Sequence, residues 1–174
     1  MSKKLYFIVL FIILSGQMAV FGMGGANTEP VSKKILSNFT FDELRQAQFY
    51  LDSTLRLTRV IPRGETRSVE EGTISVVNGE RVETIEITNK VGGELFTIDN
   101  KGVLGVGFST NANRVLFFTE QLIGTEYFLT ASGSTVKYGE YEYKISKKPK
   151  LLLQFSDEFI REKTLEREEG RRVF

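Results

Sequence analysis

The chain has 174 residues, which suits one domain, and its 41% hydrophobic and 26% charged content is too balanced for intrinsic disorder. Lys and Arg number 23 against 22 Asp and Glu, so no global field draws the protein to nucleic acid or to an anionic membrane. Cys, His and Trp are absent, which excludes disulfides, thiol nucleophiles and thiolate zinc sites, and removes the usual neutral-pH base.

Lys3 and Lys4 precede ten apolar residues, Leu5 to Leu14, and small residues follow at Ser15, Gly16, Ala19, Gly22, Gly24, Gly25 and Ala26. A positive start, a short apolar run and small residues at a cleavage point form a secretory signal peptide. Residues 1–26 are read as that signal, with a cut after Ala26 preferred to one after Gly22. The competing reading is an uncleaved anchor, because Leu5 to Met23 approaches the ~20 residues that cross a bilayer. Either way the rest of the chain is exported, to the periplasm or outside a bacterial envelope. Membrane contact is expected only through the leader, if it stays uncleaved.

Residues 27–38 are polar and read as a linker. A β-domain over 39–156 then opens with one short helix. Thr40 as N-cap and Glu43 at N3 make a capping box, flanked by Phe39 and Leu44 as a hydrophobic staple. Phe41, Leu44, Ala47, Gln48 and Leu51 keep helical spacing, which predicts a helix over about 41–50. Asn38-Phe39-Thr40 also matches a glycosylation sequon, but the cap already accounts for Thr40.

Thr54 to Val60 alternates apolar and polar, as a half-buried strand does. Pro62-Arg63-Gly64 ends it, and a charged loop runs from Glu65 to Glu71. Asn78-Gly79 between two apolar runs marks a hairpin. A three-residue turn setting Ile74 against Val82 is the expected register, because it keeps one face apolar.

Glu94 to Glu120 reads as three strands joined by polar turns, the central sheet of the domain. Its Gly102, Gly105 and Gly107 lack the order of a phosphate loop and suit a bulge or a close backbone approach within a sheet. Glu126 to Ala131 is a further strand. Val136 to Ile145 forms a hairpin with Gly139 first in its turn, setting Tyr138 opposite Tyr141, Lys137 opposite Glu142 and Val136 opposite Tyr143. Leu151 to Phe155 is the last strand, and residues 157–174 are a charged tail, helical or extended. The sum is a mainly β fold, a small antiparallel barrel or sandwich of about eight to nine short strands preceded by one short helix.

No motif specifies chemistry. The acid pairs Glu70-Glu71, Asp157-Glu158 and Glu168-Glu169 fall in loops or the tail, where solvation explains them. Asp99, Asn100, Asn111 and Asn113 read as turn residues and not as calcium ligands. We expect no enzyme, no catalytic residue, no cofactor and no metal. The candidate partner or ligand surface is Tyr127, Tyr138, Tyr141 and Tyr143, with Lys147, Lys148 and Lys150 beside Pro149. The expected function is a non-catalytic binding or structural domain of the cell envelope, whose partner is an envelope protein. A small barrel carrying or sensing an apolar ligand is the second reading, and a carboxylate-dependent hydrolase a distant third. Phe174 ends the chain as many outer-membrane barrels end, but Arg172, Gly170 and Glu168 break the apolar alternation that a membrane strand needs.

Overall fold

A computed structural model of the protein describes residues 28–65, 71–121 and 125–171. The leader, the middle of the Glu65–Glu71 loop and Phe174 lie outside the described residues. The described chain is mainly β, with three antiparallel sheets and short helical segments. It begins with β1 (Glu29–Pro30), α1 (Lys33–Leu36), α2 (Phe41–Leu44), β2 (Gln48–Leu51) and β3 (Leu55–Val60). A hairpin follows, β4 (Thr73–Val77) and β5 (Glu80–Ile87), then the meander β6 (Glu94–Ile98), β7 (Leu104–Gly107), β8 (Val115–Glu120) and β9 (Tyr127–Leu129). The chain finishes with β10 (Thr135–Tyr138), β11 (Tyr141–Ile145), β12 (Leu151–Gln154) and α3 (Asp157–Arg171).

The sheet orders are β1-β12-β2, β10-β11-β3-β5-β4 and β6-β7-β8-β9. They do not close into a barrel. Isolated bridges join the three-stranded sheet to the two sides of the four-stranded one, Ser32 to Glu126 among them. Phe49 exchanges two backbone hydrogen bonds with Gly93, of 2.9 and 2.7 Å, and Phe128 bridges Lys150. Leu55, Leu57, Ile85, Tyr143, Leu104, Phe118, Phe49 and Leu151, drawn from all three sheets, belong to one buried cluster. Each such side chain contributes roughly 1.5–3 kcal/mol of burial.

Two expectations near the N-terminus need correction. The helix ends at Leu44, and residues 48–51 form β2, paired to β12 with Leu51 opposite Leu151. Phe49 and Leu51 are buried while Gln48 is exposed, so the working period is two. The capping box of Thr40 and Glu43 forms as expected, but one turn of helix does not persist without tertiary support. The segment read as a linker carries β1 and α1, and its Val31 is fully buried, donating its amide to Leu151 O at 2.9 Å. The described residues hold twelve strands, more than the eight to nine expected.

The Asn-Gly hairpin forms in the other register. Ile74 faces Glu83 and Val76 faces Arg81 across a two-residue turn, with Asn78 at φ 52° and Gly79 at φ 81°. Both positive angles define the type I′ turn. Val76 is 71% exposed, so this end of the hairpin has no buried face to protect and the turn decides the pairing. The β10–β11 hairpin takes the expected register throughout, with Gly139 at φ 65°.

In β7, Leu104 and Val106 enter the core while Gly105 and Gly107 lie under outer side chains. A Cβ on Gly105 would stand 2.7 Å from Thr97 Cγ2, and one on Gly107 would stand 2.6 Å from the Phe96 ring. The close approach expected of these glycines is therefore made by side chains of the neighbouring strands. The charged tail is helical as α3, held by Phe159 stacked on Phe155 at 4.7 Å, with Phe39 at 4.5 Å from Phe155.

Candidate binding cleft

The turn between β7 and β8 is built by side chains that copy backbone. Ser109 Oγ accepts the Asn111 amide at 3.0 Å, and Asn111 Oδ1 accepts the Asn113 amide at 3.0 Å. Such Asx and Ser turns reverse the chain locally. They deliver Arg114 inward, in phase with Leu116 and Phe118, to 5% exposure. Its Nη1 donates to Glu71 Oε2 at 2.8 Å, and the Ser109 hydroxyl donates to Glu71 Oε1. Burial works against the Arg114 charge, but the adjoining Glu71 carboxylate outweighs it and holds the guanidinium pKa above its ordinary value.

Tyr138 of β10 lies beside this group, 1% exposed, with the Arg114 guanidinium 5.8 Å from its ring centroid. Its hydroxyl is buried with no hydrogen-bond partner among the described residues, the Ser109 side chain lying nearby. Burial, and after it the Glu71 charge, push its pKa up to about 12. Tyr138 stays a neutral donor at any physiological pH.

Between the β4–β5 hairpin and Phe108 opens a cleft of about 530 Å³, lined by Glu71, Gly72, Thr73, Thr84, Ile85, Glu86, Ile87, Val91, Phe108 and Tyr138. That volume falls within the ~300–1,000 Å³ of small-ligand sites, and the wall mixes apolar Ile85, Ile87, Val91 and Phe108 with polar Thr73, Thr84, Glu71 and Glu86. Gly72, at φ 90°, makes the cleft edge possible, because a Cβ there would sit 2.4 Å from Thr84 O.

A second charged cluster braces the same sheet. Glu83, 1% exposed, accepts from Arg59 Nε at 3.1 Å and from the Tyr143 hydroxyl at 3.2 Å. Arg59 also pairs with Glu65 at 2.9 Å and lies 3.9 Å over the Tyr141 ring. Those partners, Glu65 foremost, raise the Arg59 pKa against the penalty of burial. Through the Arg59–Glu65 pair the cluster holds the start of the 65–71 loop against the sheet.

The tyrosines singled out from sequence do not share a surface. Tyr127, Tyr138 and Tyr143 are in the core and Tyr141 is half-buried under Arg59. Among the four, Tyr138 reaches the cleft. The lysines sit elsewhere, at the junction of β9 and β12. Lys150 pairs with Glu126 at 2.7 Å, Lys148 donates to Ala131 O at 3.3 Å and Lys147 is exposed. Glu71, Ser109 and Arg114 were missed. Arg114 carried a readable signal, since a lone charge in phase with Leu116 and Phe118 has to be buried with a counter-charge. Glu83, in phase with Ile85 and Ile87, carried the same one.

Among the described residues no three acidic side chains converge on a cation site, and no helix is long and apolar enough to cross a membrane. No protein-family model matches the chain, and no match is found among curated proteins or solved structures.

Proposed function

We propose that the protein is a non-catalytic binding domain of the cell envelope, exported by its leader, and that the cleft beside Tyr138 receives its partner. The observation carrying this reading is the cleft itself, whose wall joins apolar Ile85, Ile87, Val91 and Phe108 to the charged Glu71 and Glu86. The groups nearest to chemistry are already committed to one another. The Ser109 proton is held by Glu71, Glu71 by Arg114, and the chain offers neither imidazole nor thiol. Export rests on Lys3, Lys4 and the apolar run from Leu5 to Leu14. The packing is read as sandwich-like, inner faces of separate sheets sharing one core, with a ring left open beyond the isolated bridges at Ser32, Phe49 and Phe128.

A second reading, a carrier of a small apolar ligand, is favoured by the volume and lining of the same cleft. One preparation separates the two. The full-length protein is recovered gently from solubilised envelope and weighed by native mass spectrometry. A protein present at one per chain supports the first reading, and an added mass of a few hundred daltons supports the second. The bare chain in every preparation contradicts both.

A further inference from the structure

β4 is an outer strand of the five-stranded sheet and carries no charged residue from Thr73 to Val77. Val76 is 71% exposed and Val77 50%. Folded proteins usually blunt such an edge with a charge, a proline or a covering segment. The opposite outer strand, β10, has Lys137, and both outer strands of the four-stranded sheet are bridged to the three-stranded one.

The register fixes which backbone groups the edge offers. In a two-residue type I′ turn the flanking residues, here Val77 and Glu80, are the hydrogen-bonded pair. Pairs alternate, so Val76 opposite Arg81 is a non-hydrogen-bonded pair. The Arg81 carbonyl agrees, since it faces β3 and accepts the Ile61 amide at 2.8 Å. Ile74 and Val76 therefore turn their N–H and C=O groups away from the sheet.

We propose that this edge pairs, antiparallel, with the same edge of a second copy of the chain. A two-fold axis at Ser75 sets Ile74 of each copy opposite Val76 of the other as hydrogen-bonded pairs. It sets Thr73 opposite Val77, and Ser75 opposite its own counterpart. Both outward donors and both outward acceptors of each copy are then satisfied, and every facing pair is β-branched or hydroxyl-bearing. The charge pattern selects this occupant. A charged strand finds no counter-charge on β4, whereas a second β4 brings no repulsion. A single five-residue strand buries less than the ~1,200 Å² of a standing interface, so the dimer is reversible and concentration-dependent.

The natural chain has no cysteine, so Ser75→Cys in the full-length protein introduces its sole thiol. Across the two-fold axis the Cα atoms of this non-hydrogen-bonded pair lie about 4.5 Å apart, within disulfide range. Mild oxidation is expected to link Ser75→Cys chains into a dimer, seen on a non-reducing gel, at least tenfold faster than Asn100→Cys, an exposed position in a distant turn. Adding Val76→Lys to Ser75→Cys should abolish that advantage without changing the β circular-dichroism spectrum, since Val76 is already solvated. Sedimentation of the unmodified protein should show mass doubling with concentration, and Val76→Lys should not. Equal linking at the two positions, linking that survives Val76→Lys, or a monomer at every concentration overturns the proposal, as does an adduct with a different protein in place of the dimer.

Discussion

Tyr138 concentrates the residue-scale argument, because its hydroxyl is enclosed and has no hydrogen-bond partner among the described residues. Leaving a buried donor unmet costs about 1–3 kcal/mol, so Tyr138→Phe is expected to hold or raise stability at neutral pH, by up to about 1 kcal/mol. Alkaline behaviour gives the second half of the test. An unfolded tyrosine titrates near 10, and the folded value is raised to about 12. The contribution is therefore complete below pH ~10 and is lost as pH climbs through about 12, a loss on the order of 2 kcal/mol. Glu71, Arg114, Ser109 and Tyr143 are the charged and polar groups around it. Urea denaturation at neutral and alkaline pH checks both halves. The decline should be smaller in Tyr138→Phe, and a variant weakened at neutral pH would mean that the hydroxyl has a partner after all. At this scale the sequence was partly legible. Glu71 looked solvated because its neighbours are charged, while its partners Ser109 and Arg114 lie 38 and 43 residues away. No local pattern encodes a pairing of that span.

At the scale of elements, legibility followed the agreement between turn chemistry and side-chain pairing. Gly139, the Lys137–Glu142 pair and the two facing tyrosines all favour one register for β10–β11, and that register forms. In β4–β5 the two criteria conflict, and Asn78-Gly79 prevails because the hairpin end lies outside the core. Residues 48–51 satisfied both periods, and only the presence of β12 as a partner decides for a strand. The glycines of β7 give an element-scale prediction. Gly105→Ala meets Thr97 at 2.7 Å, Val115 at 3.1 Å and Phe117 at 3.3 Å, with neighbours on several sides. Gly107→Ala meets the Phe96 ring first, at 2.6 Å, and that side chain is 43% exposed and can swing outward. Overpacking of the hemmed kind costs about 1–3 kcal/mol, so Gly105→Ala should be clearly the more destabilising of the two in thermal denaturation. Equal losses would mean that the sheet spreads to admit either methyl.

For the whole molecule, the mainly β class was readable from alternation and turn spacing, but the division into three sheets was not. It depends on bridges such as Phe49 to Gly93 and Phe128 to Lys150, made by residues whose local sequence announces only a strand or a loop. The cleft follows from that division, because its walls come from the β4–β5 hairpin, the Phe108 end of β7 and Tyr138 of β10. Recognition through the cleft is the central claim, and Val91 on its rim, 38% exposed, gives the most direct access to it. The chain has no tryptophan, so Val91→Trp both obstructs the cleft and supplies a single fluorescent reporter there. Full-length wild type and Val91→Trp are to be compared side by side for what each retains when recovered from solubilised envelope. The expected result is a stoichiometric partner or ligand on the wild type that is lost from a folded Val91→Trp. Equal retention by the two proteins would contradict the claim.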